Sequence, residues 1–161
     1  MSAFFNQRID EPLARLPRYG AVNIHPSPLP DFRGVDPVFY AKLQHHTELG
    51  VSVHRITAEF DAGEILAGET RAAEPDESVW WTTGRLYDRG GEMLVDALDA
   101  LAGGATGTPQ PAGGRYDSWP TSAQVTELRR QGGKLVAMHD FLNILRGRIR
   151  VAAIPGSEAG R

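Results

Sequence analysis

The chain has 161 residues, 41% hydrophobic and 23% charged, which is the composition of an ordinary folded domain. A net charge of −3 provides no basic field, so we expect no nucleic-acid partner. Cysteine is absent, which excludes disulfides, thiolate catalysis and zinc–thiolate sites. No apolar run reaches the ~18 residues of a membrane span, and the first residues lack a signal pattern, so we expect no membrane contact and a cytoplasmic location.

The first part of the chain predicts short elements separated by proline-rich segments. Residues 10–16 favour a short helix or turn, and residues 21–25 a short strand. Prolines and a glycine indicate that residues 26–35 form an ordered loop. Asp36 followed by Pro37 is typical of a helix start, with Asp as the N-cap and Pro as the first helical residue.

Two strands and a long helix are predicted next. Alternating apolar residues over 50–56 predict a strand, and residues 64–72 predict a second strand antiparallel to it. Residues 77–102 have the apolar spacing of a long helix. The Gly/Ala/Thr/Pro composition of residues 103–114 predicts a mobile connector.

The C-terminal part predicts two further helices. Thr121 or Ser122 caps a helix that runs to Arg130, and a shorter helix covers about residues 138–146. Residues 152–161 are expected to form a frayed tail.

Asn23 and His25 are the first candidate functional residues. They lie two positions apart in the strand predicted over 21–25, so their side chains point to the same side. Asn can donate a hydrogen bond to a developing oxyanion, and His can carry a proton at neutral pH. This pairing suits acyl or formyl transfer.

Several motifs together resemble one family, the 10-formyltetrahydrofolate-dependent formyltransferases. The family includes methionyl-tRNA formyltransferase, glycinamide ribonucleotide formyltransferase and the amino-sugar N-formyltransferases. The resemblance covers about residues 4–100 in order. The motifs are Asn23-Ile24-His25-Pro26-Ser27, Phe32-Arg33-Gly34, Gly50-Val51-Ser52-Val53-His54-Arg55-Ile56 and Glu59-Phe60-Asp61-Ala62-Gly63-Glu64-Ile65-Leu66.

The resemblance implies a catalytic trio of Asn23, His25 and Asp61. Asn23 would donate to the oxyanion, while His25 would stabilise it or shuttle the proton that leaves the amine. Asp61 would orient the imidazole and raise its pKa. Asp61 precedes Ala62-Gly63, so a plain turn residue is the alternative reading of this position.

The resemblance also implies binding residues for the co-substrate, 10-formyltetrahydrofolate, and for the acceptor, with no metal. The pterin would lie against two backbone segments, formed by Gln7, Arg8 and Ile9 and by Thr57, Ala58, Glu59 and Phe60. Ser27 would fix the loop that follows the Asn/His strand, Arg33 and Gly34 would shape the mouth of the acceptor site, and His54 could face the acceptor.

The implied fold is α/β: the C-terminal portion of a Rossmann-like formyltransferase fold, with the first strand–helix units missing. Residues 1–104 would form a partial catalytic domain, and residues 105–161 a connector with a C-terminal helical extension. We therefore expect a fragment, or a truncated chain stabilised as a homo-oligomer or by a partner that supplies the N-terminal half.

The predicted activity is transfer of a formyl group from 10-formyltetrahydrofolate to a small-molecule amine, with a nucleotide-linked amino sugar as the acceptor. The net charge and the lack of a C-terminal barrel argue against a tRNA acceptor. One alternative is a 10-formyltetrahydrofolate hydrolase, in which water is the acceptor. The other is an inactive folate-binding or assembly module.

Overall fold

The computed structural model describes residues 9–111 and 115–146. The predicted helices and strands are confirmed to within two residues, whereas the tail predicted over 152–161 lies outside the described residues. In chain order the elements are α1 (Glu11–Ala14), β1 (Val22–His25), β2 (Arg33–Gly34), α2 (Pro37–Leu43), β3 (Glu48–Arg55), β4 (Ile65–Ala72), α3 (Val79–Ala102), β5 (Tyr116–Asp117), α4 (Ser122–Arg130) and α5 (Met138–Leu145).

The main sheet has three strands in the order β1-β3-β4, and both pairs are antiparallel, as predicted for β3 and β4. The register places Asn23 opposite His54 and His25 opposite Ser52. Residues directly opposite each other in an antiparallel pair project from the same face. The pairing of β1 with β3 therefore assembles polar side chains from two strands on one face of the sheet.

The other face of the sheet packs against α3 and carries the hydrophobic core. Ile24 and Val51 come so close to the helix that a Cβ added at Gly90 would lie 2.4 Å from Cγ2 of Ile24. The absence of a side chain at this position lets the helix approach the strands closely. The buried core consists of Val22, Ile24, Val38, Phe39, Tyr40, Ala41, Leu49, Val51, Val53, Val79, Leu86, Met93, Leu94, Ala97, Leu101 and Leu128.

The polar face is covered in part by the loop after β1. The hydroxyl of Ser52 donates to the carbonyl of Ser27 over 2.8 Å and accepts the N–H of Leu29 over 3.1 Å. A Cβ added at Gly50 would lie 2.9 Å from Cβ of Pro28, so loop and strand are in close contact. As a result β3 is buried on both faces from Leu49 to His54.

A second strand pair is parallel, and its first strand lies within residues 26–35, the segment predicted as a loop. Arg33 pairs with Tyr116 and Gly34 with Asp117, which joins β2 to β5. Each strand has two residues, too few for a periodic pattern to appear in the sequence. Among the described residues, no helix combines the length and apolarity required to cross a bilayer.

Candidate active site

Four polar side chains meet on the covered face of the sheet. The Nδ2 atom of Asn23 lies 3.2 Å from Nε2 of His54. The Oδ1 atom of Asp61 lies 3.7 Å from Nδ1 of His25 and 3.7 Å from Nε2 of His54. The strands supply Asn23, His25 and His54, and the loop between β3 and β4 supplies Asp61. The structure therefore brings the three predicted catalytic residues together with His54.

The carbonyl groups around the two imidazoles determine which ring nitrogens carry hydrogen. Nε2 of His25 lies 2.9 Å from the carbonyl of Phe32, and Nδ1 of His54 lies 2.9 Å from the carbonyl of Arg55. A carbonyl oxygen can only accept, so both nitrogens donate. In the neutral rings, Nδ1 of His25 and Nε2 of His54 are consequently lone-pair atoms. Asn23 donates its side-chain N–H to the latter.

His54 is held in its neutral form. Its pKa is lowered to about 4, chiefly by burial and also by the neighbouring His25, while Asp61 acts in the opposite direction. His54 is 2% exposed, in agreement with desolvation as the main cause. A neutral His54 can accept the N–H of Asn23, whereas a protonated ring would have no lone pair for it.

Asp61 is fixed by the backbone of β2. Its Oδ2 atom accepts the N–H of Gly34 over 2.9 Å, which leaves Oδ1 directed toward the imidazoles. Asp61 itself has a φ of 51°, a left-handed conformation that is uncommon for a residue other than glycine. At 3.7 Å, Oδ1 is beyond hydrogen-bond distance from His25, so a strong attraction arises only when that ring gains a proton.

The predicted binding residues of the loop after β1 are bonded to the protein. Ser27 donates its hydroxyl to the carbonyl of Asp31 over 2.7 Å, an interaction that suits a role in fixing the loop. The guanidinium of Arg33 is buried and donates to Oε1 of Gln110 over 2.9 Å and to the carbonyl of Pro111 over 3.4 Å. Arg33 thus lines one side of the site.

The predicted pterin-binding segment, Thr57 to Phe60, is exposed at the edge of the site. Phe60 is about half exposed, and its ring centroid lies 5.7 Å from that of Tyr116. Burial and the charge of Asp61 raise the pKa of the Tyr116 phenol, so this aromatic pair adjoins the carboxylate.

The other predicted pterin-binding segment is only partly described. Ile9 is half-buried ahead of α1, and no hydrogen bond among the described residues links it to the site. Gln7 and Arg8 lie outside the described residues. Within the described part of the chain, no group of three or more His, Cys, Asp or Glu side chains is arranged to hold a metal ion.

Sequence reasoning missed two residues at the site, Gln110 and Ser52. Gln110 donates its side-chain amide to the carbonyls of Asp61 and Gly63, over 2.9 and 2.6 Å. It lies in the low-complexity stretch, whose composition carries no signal for such a role. Ser52 could have been found, because it precedes His54 by two residues in the same strand and therefore shares its face.

A model of the formyl transferase family matches residues 1–98. The methionyl-tRNA formyltransferase of Roseiflexus sp. (strain RS-1) is 41% identical over 109 residues, which are 68% of this chain and 33% of that protein. The methionyl-tRNA formyltransferase of Listeria monocytogenes serovar 1/2a is 37% identical over 115 residues, 68% of this chain and 36% of that protein. The chain thus spans about a third of the length of these curated relatives.

Solved structures confirm the predicted fold. The formyltransferase PseJ from Anoxybacillus kamchatkensis, solved with UDP-4,6-dideoxy-4-formamido-L-AltNAc and tetrahydrofolate, superposes with a TM-score of 0.65 at 24% identity, over 83% of this chain and 76% of that one. The sugar 3N-formyl transferase WlaRD gives a TM-score of 0.64 at 20% identity, over 78% and 50%. The predicted α/β, Rossmann-like architecture is therefore present, aligned with part of each solved chain. The chain belongs to the formyl transferase family.

Proposed function

We propose that this protein transfers a formyl group from 10-formyltetrahydrofolate to the amine of a small molecule, with a nucleotide-linked amino sugar as the acceptor. The observation that carries the proposal is the proximity of four polar side chains in a member of the formyl transferase family. Side-chain atoms of neighbouring residues in this group lie 3.2 to 3.7 Å apart, and the group consists of Asn23, His25, His54 and Asp61. Amide, imidazole and carboxylate are the groups that such a transfer requires.

The residues present fit a folate co-substrate at this point. When bound, 10-formyltetrahydrofolate supplies the formyl group: its bond to the folate nitrogen breaks as a bond to the acceptor nitrogen forms. Thr57 to Phe60 are exposed residues beside Asp61, and Phe60 adds an aromatic ring. The solved PseJ structure contains tetrahydrofolate, which supports the assignment of the co-substrate class.

Asn23 would stabilise the negative charge that develops on the formyl oxygen. A side-chain amide has two N–H groups, and the structure commits one of them to His54. The second N–H serves the reaction, with its direction set by the bond to His54. A donor of this kind typically contributes on the order of 10²–10³ to kcat.

His25 would take the proton that the attacking amine loses. Its Nδ1 atom is the lone-pair position of the neutral ring and lies 3.7 Å from Oδ1 of Asp61. A proton gained there places an imidazolium beside a carboxylate, and the opposite charges attract each other. The proton then passes to the folate nitrogen that leaves, so protons balance without a covalent bond to the protein.

The charge distribution supports a small acceptor. The net charge is −3, and several surface arginines are paired with acidic residues. Arg89 contacts Glu69 and Glu92, and Arg130 contacts Glu127. A polynucleotide acceptor requires cations that can replace its counterions, which paired arginines supply poorly.

Methionyl-tRNA is the second candidate acceptor. The specific observation in its favour is the 41% identity to a methionyl-tRNA formyltransferase. The two acceptors make different demands on the protein, since tRNA binding falls steeply with added salt and binding of a small nucleotide sugar much less so.

The experiment offers 10-formyltetrahydrofolate with three acceptor conditions: nucleotide-linked amino sugars, methionyl-tRNA, and buffer alone. Mass spectrometry follows the formylated products and free formate. We expect a formamido sugar with wild type, and a rate at least about 100-fold lower with His25→Ala. His45→Ala, at an exposed histidine, serves as the matched control and should retain the wild-type rate.

Each alternative has its own outcome. Product from methionyl-tRNA alone would favour the second acceptor, and formate released without an acceptor would indicate a hydrolase. Tetrahydrofolate binding without turnover would indicate a binding module. Equal rates for wild type and His25→Ala would refute the proposed use of the site.

A further inference from the structure

We propose that Gln110 is a positioning residue that holds the Asp61 loop against the Arg33 segment. The inference rests on the proposed function of the site. Nothing in the resemblance to known formyltransferases assigned this residue, which lies in the Gly/Ala/Thr/Pro stretch after α3.

The side-chain amide of Gln110 has a partner for each of its polar groups. Its Nε2 atom donates to the carbonyl of Asp61 over 2.9 Å and to the carbonyl of Gly63 over 2.6 Å. Its Oε1 atom accepts from Nη2 of Arg33 over 2.9 Å. Two carbonyls on one side and a guanidinium on the other determine which end of the amide is nitrogen. Gln110 is thereby a crosslink between two loops that flank the imidazoles.

Asp61 needs such support because its backbone is strained. A residue other than glycine at a φ of 51° persists when its surroundings over-determine it. Two contacts do so here: the N–H of Gly34 on the carboxylate and Nε2 of Gln110 on the main-chain carbonyl. Together they fix both ends of the residue that faces His25 and His54.

The segment that carries Gln110 is itself held close to the site. Thr108 exchanges two backbone hydrogen bonds of 2.8 Å with Ile65 at the start of β4. A Cβ added at Gly107 would lie 2.7 Å from Cβ of Glu64, so the two segments are in tight contact. The backbone pairing of Thr108 with Ile65 therefore holds Gln110 in a defined position beside the Asp61 loop.

Two variants separate the functions of the amide. Gln110→Met keeps the approximate volume and removes all three hydrogen bonds. Gln110→Glu keeps an acceptor for Arg33 but has no N–H for the carbonyls of Asp61 and Gly63. We expect kcat for formyl transfer to fall about 10- to 100-fold in both variants, because small misplacements of catalytic groups cost this much. The KM values for folate and acceptor should change less than about threefold.

Gln124→Ala is the control for a loss of stability alone. Gln124 forms the capping box of α4 with Thr121, and within the described part of the chain none of its hydrogen bonds involves a site residue. We expect it to lower the melting temperature while kcat stays at the wild-type value. A melting temperature measured for every variant shows that it is folded at the assay temperature.

A measurement without turnover separates this inference from the proposed function. The side-chain ¹⁵N shifts of His25 and His54 report the tautomer and surroundings of each ring. We expect both sets of shifts to move in Gln110→Met and Gln110→Glu, and to stay in place in Gln124→Ala. This readout stands even if wild type formylates none of the offered acceptors, a result that would count against the proposed function only.

Three results would overturn the inference. Unchanged ring shifts in Gln110→Met would show that Gln110 does not position Asp61. Wild-type kcat in Gln110→Glu, together with a loss in Gln110→Met, would mean that only the contact with Arg33 matters. Failure of both variants to fold would assign Gln110 to stability instead.

Discussion

Asn23 donates its side-chain N–H to Nε2 of His54 across the β1–β3 pair, over 3.2 Å. Because the carbonyl of Arg55 accepts from Nδ1 of His54, Nε2 is the atom left to receive that N–H. The orientation of the Asn23 amide is therefore set by the protein before any ligand arrives. Such preorganisation is the feature that makes a hydrogen-bond donor effective in catalysis.

The first prediction concerns the pH dependence of stability. In the folded chain burial lowers the pKa of His54 to about 4 from an ordinary value of 6.5. Between these two values the unfolded state binds a proton at His54 and the folded state does not. The free energy of unfolding should therefore be highest above about pH 6.5 and fall on acidification toward pH 4, by on the order of 3 kcal/mol. Urea unfolding from pH 4.5 to 7.5 measures this loss.

His54→Gln removes the titrating group and keeps an acceptor for Asn23. We expect its unfolding free energy to depend less steeply on pH than that of wild type over this window. His45→Gln, at an exposed position, should keep the wild-type slope. Equal slopes for His54→Gln and wild type would contradict the assignment of the pH dependence to His54.

The second prediction concerns Asn23→Asp, which is isosteric but has no N–H to donate. The new carboxylate would face Nε2 of His54, and a nearby negative charge raises the pKa of an imidazole. We expect the pKa of His54 to rise in an NMR titration, and kcat for formyl transfer to fall on the order of 10²–10³-fold.

Asn143→Asp, on α5, introduces the same charge away from the site and is the matched control. Its His54 titration and its rate should remain those of wild type. If the His54 titration were equally unmoved in Asn23→Asp, the hydrogen bond between Asn23 and His54 would not exist in solution.

The third prediction compares two glycines with positive φ. Gly34 has a φ of 109°, and a Cβ there would lie 2.1 Å from the carbonyl oxygen of Asp117. Gly34→Ala must separate β2 from β5, and we expect it to lower the free energy of unfolding by about 3 kcal/mol or more. Gly132 has a φ of 87° with nothing within 4 Å, so Gly132→Ala should cost only about 1–2 kcal/mol of backbone strain.

Urea unfolding gives both values, and the rate of formyl transfer adds a second readout. The N–H of Gly34 holds Oδ2 of Asp61, so Gly34→Ala should also lower kcat, whereas Gly132→Ala should not. Equal losses of stability in the two variants would show that β2 and β5 can separate without cost.

The fourth prediction compares two neighbouring glycines of α3. A Cβ at Gly90 would lie 2.4 Å from Ile24, whereas a Cβ at Gly91 would meet nothing within 4 Å. Gly91→Ala should raise the free energy of unfolding by about 1 kcal/mol through helix propensity. Gly90→Ala should lower it by about 1–2 kcal/mol, because overpacking outweighs that gain.

The same pair tests how the core supports the site. Ile24 lies between Asn23 and His25 in β1, so displacement of Ile24 moves the strand that carries both side chains. We expect kcat to fall in Gly90→Ala and to stay unchanged in Gly91→Ala. Thermal unfolding and initial rates measured on the same preparations make the comparison. Stabilisation by both substitutions would mean that the contact between α3 and β1 is looser than described.

The sequence predicts those features that depend on local pattern. The side-chain period of two in a strand predicts that Asn23 and His25 share a face, and the apolar spacing of α3 predicts its extent. The place of His54 depends in addition on the register between β1 and β3, which no single strand specifies. The structure shows His54 bonded to Asn23, and its position facing the acceptor, which the resemblance implies, stays a prediction.

Features that depend on contacts between distant segments could not be predicted. The β2–β5 pair has two residues in each strand, and Gln110 reaches Asp61 from a stretch without periodicity. The left-handed backbone of Asp61 likewise arises from its surroundings rather than from its own residue type. The division at residue 104, the homo-oligomer and a complementing N-terminal partner stay predictions.

The contact between Arg33 and Pro111 joins residues 78 positions apart in the chain. Closure of so long a loop lowers the conformational entropy of the chain before the contacts that offset this loss have formed. Contacts between residues far apart in the sequence therefore slow folding. The β3–β4 hairpin and α3 depend on nearer neighbours and can form earlier. We therefore expect the arrangement around Asp61 to complete late in folding, so that a partly folded chain contains the sheet and its histidines before Asp61 reaches them.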